Sequence, residues 1–563
     1  MLSKYKLNQL YFKDTQFANL MTRRIFNVLL IANPYDAFML EDDGRIDEKI
    51  FNEYTSLSLR YPPRFSQVST EEEALTLLEN MTFDLVICMP STGDNDSFDI
   101  GRHIKSLYEH IPIVILTPFS HGITARIADE DLSAFDYVFC WLGNTDLLVS
   151  IIKLIEDKMN LEHDVAEVGV QLILLVEDGI RFYSSVLPNL YKFVLKQSQE
   201  FSTEALNAHQ RTLRMRGRPK IVLARTYDEA ITIYEKYKNN ILGVITDVRF
   251  PRVERGEKDG LAGIKLCAAI IQSSESENAL YAAKYGASFI DKNSKKMDVD
   301  LRRIVSDNFG FGDFVFRNPE TGEEIARVRN LKELQNILFA VPAESFLYHI
   351  SRNHVSRWLY SRAMFPVAEF LKPITWNSLQ DVDAHRRIIF EAIVKYRKMK
   401  NQGVVAVFKR DRFDRYSNFA RIGDGSLGGK GRGLAFIDNM VKRHPEFEEF
   451  ENARVAIPKT VVLCTDVFDE FMDSNNLYQV ALSDADDDVI LRYFLKAKLP
   501  DRLVEDFFTF FDVVKSPIAI RSSSLLEDSH YQPFAGIYNT YMIPYLDDKY
   551  EMLRMLSFSL FQG

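Results

Sequence analysis

The sequence predicts a multidomain α/β protein, and three features of the chain indicate it. Its 563 residues correspond to about three or four domains at ~150 residues per domain. Apolar runs of strand length alternate with helix-length segments through residues 25–308. A glycine-rich segment at residues 424–433 lies between a strand pattern and a helix pattern. The hydrophobic fraction of 46% is that of an ordinary globular protein, so each domain can bury a core.

Charge and cysteine usage narrow the class of protein. The formal net charge of -10 gives no bulk attraction to nucleic acid or to an anionic membrane. No apolar run approaches the ~20 residues of a membrane span, and the first residues lack the apolar core of a signal peptide. The four cysteines form no CxxC pair, which indicates reduced thiols. We therefore expect a cytoplasmic protein with neither a membrane nor a nucleic-acid partner.

Residues 25–160 and 169–308 show the same layout twice, after an N-terminal segment of residues 1–24. Strand patterns in the first stretch begin at Val28, Phe83, Ile113 and Tyr137. A helix is predicted over Glu71–Glu79, and Thr145 is the predicted N-cap of a closing helix that ends at Met159. The second stretch repeats strands at Leu172–Val176, Ile221–Ala224, Ile241–Thr246 and Phe289–Ile290. Runs that are apolar on both faces are typical of parallel sheets covered by helices, so we predict two tandem α/β modules.

Acidic residues follow the strands of the second module. Glu177 and Asp178 come after its first strand, Asp247 after its third and Lys292 after its last. The carboxyl ends of parallel strands meet at one edge of a sheet, and three carboxylates there suit a hard cation such as Mg²⁺. One carboxylate could then attack a phosphoryl group while the cation and the lysine stabilise charge. Ser273 or Ser274 is placed to contact the phosphoryl oxygens.

These segments resemble a response-regulator receiver domain, which has a flavodoxin-like fold. The resemblance is carried by Leu175–Asp178, Ile245–Pro251 and Phe289–Lys292. It implies that Asp247 is the phosphoacceptor, that Glu177 and Asp178 complete the metal site, and that Lys292 is the active-site lysine. It also implies a histidine kinase or another phosphodonor as partner. Residues 261–271 are short for a helix followed by a strand, so a receiver-shaped packing or dimerisation domain with solvated acids is the alternative.

The first module lacks the acidic residues of this template. Ala32 and Asn33 occupy the positions of the acid pair. Cys88 or Met89 stands at the phosphoacceptor position, and Cys140 or Trp141 stands at the position of the lysine. Thr117 alone matches the template. Without carboxylates there is no ligand for Mg²⁺, so we interpret residues 25–160 as a degenerate receiver-like module that binds a partner or a neighbouring domain.

Residues 309–378 are predicted to form a small helical connector, and residues 379–563 carry the glycine-rich segment. A strand at Phe419–Gly423 precedes the glycines, and a helix at Leu434–Arg443 follows them. Glycine lets backbone N–H groups approach phosphate, the N-terminus of a helix favours anions, and Lys430 adds a positive charge. A Walker A sequence is excluded because Gly431 stands where serine or threonine is required.

A second segment supports a phosphate site in the same region. A strand at Pro517–Ile520 is followed by Arg521, whose guanidinium suits fork-like phosphate contacts. Ser522 and its neighbours offer hydroxyl groups, and Gly536 permits another close backbone approach.

Together these segments closely resemble the N-terminal ATP-binding domain of phosphoenolpyruvate synthase and pyruvate phosphate dikinase. The matching segments are Leu427–Lys430, Ile457–Thr465, Ile520–Ser524, Glu527–Asp528 and Phe534–Gly536. The resemblance implies the front part of an ATP-grasp-like fold that uses ATP and Mg²⁺. It assigns nucleotide binding to Gly428, Gly429, Lys430, Arg521, Ser522, Glu527 and Gly536.

The resemblance covers only part of that family's machinery. None of the ten histidines lies in the family's phosphohistidine motif, and the pyruvate-binding barrel has no counterpart. We therefore expect the regulatory and ATP-binding front of an ATP-dependent phosphotransferase, which would reach pyruvate through domains absent here. The alternative is a signalling scaffold whose nucleotide fold is inactive.

A basic stretch and a histidine–tryptophan pair are interpreted as structural features rather than as binding sites. The stretch from His209 to Lys220 holds five basic side chains, which could contact nucleic acid or a phosphorylated partner. Since it lacks interleaved aromatic residues, we interpret it as a solvated basic loop. His354 and Trp358, four residues apart, are expected to pack one helix face.

Overall fold

The computed structural model describes most of the chain and divides it into two compact units. It describes residues 10, 12–40, 45–57, 59–90, 97–118, 127, 130–143, 145–202, 206–272, 288, 292, 294, 296–374, 376, 381–448, 452–453, 455–523 and 538–562. The N-terminal unit comprises Thr15–Ala205 and His209–His385, and the C-terminal unit comprises Met1–Asp14, Leu206–Ala208 and Arg386–Gly563. Over the described ranges, no helix combines the length and the apolar character that a membrane crossing needs.

The first module of the N-terminal unit is a five-stranded parallel sheet. Its strands are β1 (Asn27–Ile31), β2 (Arg64–Val68), β3 (Leu85–Cys88), β4 (Ile113–Pro118) and β5 (Tyr137–Trp141). They lie in the order β2-β1-β3-β4-β5. The accompanying helices are α1 (Pro34–Leu40), α2 (Ile46–Ser56), α3 (Glu71–Asn80) and α4 (Ser97–Leu107). The four predicted strands and the helix beginning at Glu71 are confirmed, and β2 is an additional edge strand.

Helix α5 (Asp146–Val168) connects the two modules and is longer than predicted. It continues past Met159 and ends at Gly169, whose φ of +72° allows the left-handed C-cap. Thr145 is the N-cap residue, as predicted, although its backbone is helical and its side chain accepts no capping hydrogen bond. Apolar residues of α5 share one core cluster with residues of both modules.

The second module contains a three-stranded parallel sheet in the order β7-β6-β8. Its strands and helices are β6 (Leu172–Val176), α6 (Ile180–Ser202), α7 (Ala208–Arg214), β7 (Lys220–Ala224), α8 (Tyr227–Tyr237), β8 (Ile241–Thr246), α9 (Ala262–Gln272) and α10 (Met297–Asn308). A short antiparallel pair, β9 (Phe250–Pro251) and β10 (Lys258–Asp259), follows β8. The first three predicted strands are confirmed. The predicted strand Phe289–Ile290 and the candidates Ser273 and Ser274 lie outside the described residues.

The basic stretch from His209 to Lys220 is not a solvated loop, and that interpretation was wrong. Arg218 and Lys220 are buried against the acidic residues of α5. The guanidinium Nη2 of Arg218 lies 2.7 Å from Oδ1 of Asp157, and Nζ of Lys220 lies 2.7 Å from Oδ2 of Asp164. A buried charge is stable only when it is paired. Arg218 and Lys220 can be buried because Asp157 and Asp164 neutralise them. We call these four residues the buried ion cluster.

Residues 309–378 contain four helices and a hairpin that was not predicted. The hairpin pairs β11 (Phe314–Arg317) with β12 (Glu324–Val328), and the helices are α11 (Leu331–Ile337), α12 (Ala343–Ser351), α13 (His354–Ser361) and α14 (Phe365–Leu371). Trp358 is buried on α13, and its indole N–H donates to the carbonyl oxygen of Gly312 (3.1 Å).

His349, which is buried, and His354, which is half-buried, form a pair beside this hairpin. Nε2 of His349 accepts the backbone N–H of Arg317 (2.9 Å), so its proton lies on Nδ1, which is 3.0 Å from Nδ1 of His354. Only a neutral pair can satisfy both contacts. Burial, reinforced by nearby arginines, lowers the pKa of His349 to about 4 and that of His354 to about 3.

We expect the N-terminal unit to lose stability as the pH falls through this pair's range. The unfolded histidines take up protons below their ordinary pKa of about 6.5, whereas the folded ones stay neutral down to about pH 4. Each histidine therefore costs up to about 1.4 kcal/mol of stability per pH unit in that window. The three tryptophans of the chain, Trp141, Trp358 and Trp376, all belong to this unit, so tryptophan fluorescence follows its unfolding.

The variant His354→Gln tests this expectation in urea unfolding at about pH 7 and about pH 5. Its amide oxygen can still accept the proton of His349, so the acid-induced loss should become shallower. His103→Gln is the matched control, because His103 is half exposed and pairs with Glu71 at the surface. An equal acid-induced loss in wild type and in His354→Gln would contradict the assignment.

The C-terminal unit is built around a three-stranded parallel sheet of β13 (Ala406–Val407), β14 (Phe419–Ile422) and β15 (Thr460–Leu463). An antiparallel pair, β16 (Ile518–Ile520) and β17 (Tyr541–Ile543), lies in the same unit. The helices are α15 (Val382–Asn401), α16 (Gly428–Arg443), α17 (Thr465–Ser474), α18 (Leu477–Ala481), α19 (Asp487–Lys496), α20 (Asp501–Val513) and α21 (Lys549–Gln562). Phenylalanines of α20 and Met552 of α21 pack with Ala420 and Ile422 into one core cluster.

Candidate functional site

The glycine-rich segment forms the first turn of a helix rather than a free loop. Helix α16 begins at Gly428, so the prediction that it begins at Leu434 was wrong. Gly428 has a φ of +73°, and a Cβ atom there would lie 1.4 Å from the carbonyl oxygen of Ser523. Only glycine allows the two chain segments to come this close.

Residues of α17 hold the loop that leads into this helix. The carboxylate of Asp466 accepts the backbone N–H groups of Asp424 (2.8 Å) and Gly425 (2.9 Å). The hydroxyl of Thr465 accepts the N–H of Ser426 (3.0 Å). Burial acts to raise the pKa of Asp466, but these backbone hydrogen bonds outweigh it and lower the pKa. Sequence reasoning missed Asp466, because nothing in its local pattern points to a loop forty residues away in the chain.

Ser523 fastens the chain after β16 to the first turn of α16. Its carbonyl oxygen accepts the N–H of Gly429 (3.0 Å), and its hydroxyl oxygen accepts the N–H of Gly431 (2.9 Å). The same hydroxyl donates to the carbonyl oxygen of Leu427 (2.7 Å). We call these three contacts the serine clasp. The clasp brings the segments of Lys430 and Arg521 to one place, and it also occupies the amide of Gly429, which the sequence analysis assigned to nucleotide binding.

The other nucleotide candidates differ in exposure. Arg521 is exposed, and Ser522, Gly429 and Lys430 are half-buried. Glu527 and Gly536 lie outside the described residues, as does Asp528. The side chains that remain near the clasp are therefore one guanidinium, one ammonium and one hydroxyl, all of which can donate hydrogen bonds to an anion.

A second candidate site lies at the carboxyl ends of β6 and β8. One oxygen each from Glu177, Asp178 and Asp247 lie within 4.8 Å of one another. The N–H of Asp247 donates to the carbonyl oxygen of Val176 (2.8 Å), which continues the ladder between these strands. The backbone of α9 packs directly on this end, since a Cβ atom at Gly263 would lie 2.0 Å from the carbonyl oxygen of Asp247.

Two lysines partly neutralise this acidic cluster. Nζ of Lys292 contacts Glu177 and lies 2.7 Å from Oδ2 of Asp247, and Nζ of Lys258 lies 2.5 Å from Oδ2 of Asp178. Burial raises the pKa of Glu177, and Lys292 offsets this only in part. Within the described ranges, the buried Oδ1 of Asp178 has no hydrogen-bond partner. The structure thus brings together all four side chains predicted from this module, and it adds Lys258, which had not been singled out.

The corresponding positions of the first module are mostly apolar, and Asn33 is the polar exception. Ala32, Cys88, Met89 and Cys140 are all buried. Burial raises the pKa of the Cys88 thiol to about 12, so the thiol stays neutral. Thr117 is buried as well. Within the described ranges, the acidic cluster that could hold a cation is found in the second module and not at these strand ends.

Comparison with known proteins bears on the C-terminal unit. No curated protein matches the chain. Residues 424–560, which contain the serine clasp, Lys430 and Arg521, match the family described as the AMP/ATP-binding domain of pyruvate phosphate dikinase. The match supports an ATP-binding component of the phosphoenolpyruvate synthase and pyruvate phosphate dikinase type in this part of the chain.

Proposed function

We propose that the chain is the ATP-binding and regulatory part of a phosphotransferase of the phosphoenolpyruvate synthase and pyruvate phosphate dikinase type. The observation that carries the proposal is the serine clasp within the matched residues 424–560, because it places the first turn of α16 beside the segment of Arg521. ATP with Mg²⁺ is the proposed cofactor. Pyruvate is the proposed acceptor, reached through other domains.

The phosphates of ATP would contact side chains around the clasp. Lys430 and Arg521 supply positive charge, and Ser522 supplies a hydroxyl. The N-terminus of α16 is the positive end of the helix dipole, which attracts phosphate. Since Gly429 and Gly431 already donate to Ser523, the side chains carry the recognition as long as the clasp is closed.

Calorimetric titration of the full chain with Mg-ATP tests this proposal. We expect measurable binding heat in the wild type. Lys430→Ala and Arg521→Ala should each weaken binding by about tenfold or more, because each removes a charged hydrogen-bond donor worth ~1.5–3 kcal/mol. Arg554→Ala is the matched control, since Arg554 is exposed on α21 and pairs with Glu551 one turn away.

Two results would contradict the proposal. One is the absence of heat in a folded wild-type protein, which would favour a signalling scaffold with an inactive nucleotide fold. The other is binding that all three variants leave unchanged, which would place the nucleotide elsewhere.

We further propose that the second module is a receiver-like regulatory domain. Both sheets share the strand order 2-1-3, and the first continues to 2-1-3-4-5, the order of flavodoxin-like folds. In this proposal Mg²⁺ binds to Glu177, Asp178 and Asp247, and the free oxygen of Asp178 supplies one ligand. The first module, without carboxylates, binds a partner.

The chemistry proposed for Asp247 is phosphoryl transfer from a small phosphodonor or a histidine kinase. With acetyl phosphate, a carboxylate oxygen of Asp247 bonds to phosphorus while the bond between phosphorus and the acetate oxygen breaks, so acetate leaves. Lys292 and the cation offset the negative charge that gathers on the phosphoryl oxygens.

Incubation with acetyl phosphate and Mg²⁺, followed by mass spectrometry of the intact protein, tests this transfer. We expect one phosphoryl group on the wild type and none on Asp247→Asn. Asp259→Asn is the matched control, because Asp259 is only partly buried and pairs with Lys265 near the same sheet end. An unlabelled wild type, or a label that survives in Asp247→Asn, would contradict the assignment. Neither result depends on ATP binding in the C-terminal unit.

A further inference from the structure

The N-terminal unit contains a cavity of about 140 Å³ that neither proposed site uses. Its walls come from the segment before β1, the connection between α2 and β2, helix α5, and the chain from His209 to Arg218. Basic residues dominate the lining: Arg24, Arg60, Lys153, His209, Arg216 and Arg218. We call this cavity the arginine pocket.

Two of these cations are neutralised by acids of α5. Nζ of Lys153 lies 2.7 Å from Oε2 of Glu156, and Arg218 pairs with Asp157 in the buried ion cluster. These pairs are buried and satisfied, so they form the floor of the pocket rather than its ligand-binding groups.

Among the described residues, the other three arginines have no acidic partner. Across the part of the chain that the structure describes, no carboxylate lies within 4.0 Å of the guanidinium of Arg24, Arg60 or Arg216. Nε of Arg24 donates to the carbonyl oxygen of Met21 (3.2 Å), and Nη1 of Arg216 donates to that of Ala18 (2.7 Å). The buried Nε of Arg216 finds no acceptor among the residues that the structure describes. Burial lowers the pKa of Arg216, and the charges of Arg24 and Arg60 lower it further.

An aromatic residue stands beside these charges in a strained conformation. Tyr61 has a φ of +60°, which is rare for a residue with a branched or bulky side chain. Its ring lies 5.7 Å from the guanidinium carbon of Arg24 and 6.4 Å from the ring of Phe26. Such strain persists where the surroundings enforce it, and it recurs at ligand-binding sites.

We propose that the arginine pocket binds a small phosphorylated metabolite, whose phosphate group is held by Arg24, Arg60 and Arg216. Three guanidinium groups that line one cavity favour an anion there, and their planar forks match phosphate oxygens. The occupant is small, because drug-sized ligands fill roughly 300–1,000 Å³. Leu59, Leu213 and Met215 supply apolar wall for a short carbon skeleton.

The position of the pocket suggests a regulatory role for this ligand. Arg60 belongs to the first module, Lys153 to the helix that both modules share, and Arg216 to the second module. A bound phosphate would therefore join all three elements through ionic contacts and stabilise their arrangement.

Titration with inorganic phosphate at constant ionic strength tests the proposal by thermal unfolding and by calorimetry. The protein used is the full chain carrying Lys430→Ala and Arg521→Ala, so that phosphate binding at the proposed nucleotide site is strongly weakened. We expect saturable binding that raises the unfolding temperature of the tryptophan-containing unit. Arg60→Gln and Arg216→Gln should each weaken binding by about tenfold.

Arg303→Gln is the matched control, because Arg303 is exposed on α10 and pairs with Asp300. Arg60 is also exposed, so its replacement should leave the fold intact and keep the test decisive even if Arg216→Gln fails to fold. Three results would overturn the proposal: no saturable binding of phosphate, equal affinity in Arg60→Gln and Arg303→Gln, or an equal response to acetate.

Discussion

Gly428→Ala is expected to destabilise the C-terminal unit by about 3 kcal/mol or more. The new methyl group would lie 1.4 Å from the carbonyl oxygen of Ser523, which is backbone and cannot rotate away. The φ of +73° adds the cost of a left-handed conformation for a residue with a Cβ atom. This steric overlap can be relieved only if the chain after β16 moves away from α16, and that movement opens the serine clasp. We therefore expect ATP binding to change together with stability.

Gly433→Ala is the matched control on the same helix. A Cβ atom at Gly433 would meet nothing within 4 Å, and its φ is not positive, so alanine should stabilise α16 by up to about 1 kcal/mol. Hydrogen exchange of the full chain, followed by mass spectrometry over α16 and β14, should show faster exchange in Gly428→Ala and equal or slower exchange in Gly433→Ala. Equal exchange in the two variants would contradict the close approach at Gly428.

Asp157→Ala is expected to destabilise the N-terminal unit by about 3–5 kcal/mol. Its carboxylate accepts hydrogen bonds from both terminal nitrogens of Arg218, from the N–H of Ile221 and from the hydroxyl of Tyr191. Arg218 and Lys220 would remain buried with one acid fewer. Removal of one partner from a buried pair costs far more than the pair contributes, because the remaining charge is left without compensation.

Glu162→Ala provides the comparison on the same helix. Glu162 is 80% exposed and pairs with Lys236 at 3.2 Å, so its loss should cost less than about 0.5 kcal/mol. Urea unfolding followed by tryptophan fluorescence reports on this unit alone, since it holds every tryptophan of the chain. Similar midpoints for the two variants would mean that water or another group compensates Arg218 and Lys220.

Strands with continuous apolar runs could be predicted, whereas strands without them could not. β1, β3, β4 and β6 are buried on both faces, and their runs of valine, leucine and isoleucine identify them. β2, with the sequence Arg-Phe-Ser-Gln-Val, is a half-exposed edge strand and carries no such run. The hairpin after residue 313 was missed for the same reason, because residues of β12 are largely exposed.

Clusters of basic residues and of glycines led to wrong predictions of loops, because contacts with distant residues decide the structure there. Five basic residues close together indicate a solvated loop, but acids on α5 draw Arg218 and Lys220 inside. Four glycines between residues 428 and 433 indicate a loop, but packing against Ser523 and the sheet makes this segment helical. Local propensity is a weak guide when tertiary contacts oppose it.

Some residues of the candidate sites could be predicted from the sequence, and others could not. The meeting of Glu177, Asp178 and Asp247 could be predicted, because parallel strands bring their carboxyl ends to one edge. Asp466 and Ser523 could not, because their importance arises from hydrogen bonds to residues about forty and ninety positions away in the chain. The arginine pocket draws on four separate stretches, and of these only the basic stretch from His209 to Lys220 stood out in the sequence.

Helix α5 has a practical consequence for dividing the chain. Its apolar side chains belong to a cluster that also contains residues of β1 and β6, so neither sheet has a complete core of its own. If the chain were cut between residues 160 and 169, one of the two fragments would expose apolar surface to water. We expect that fragment to aggregate. We therefore expect a structural change in one half of this unit to reach the other half through shared side-chain packing rather than through a hinge.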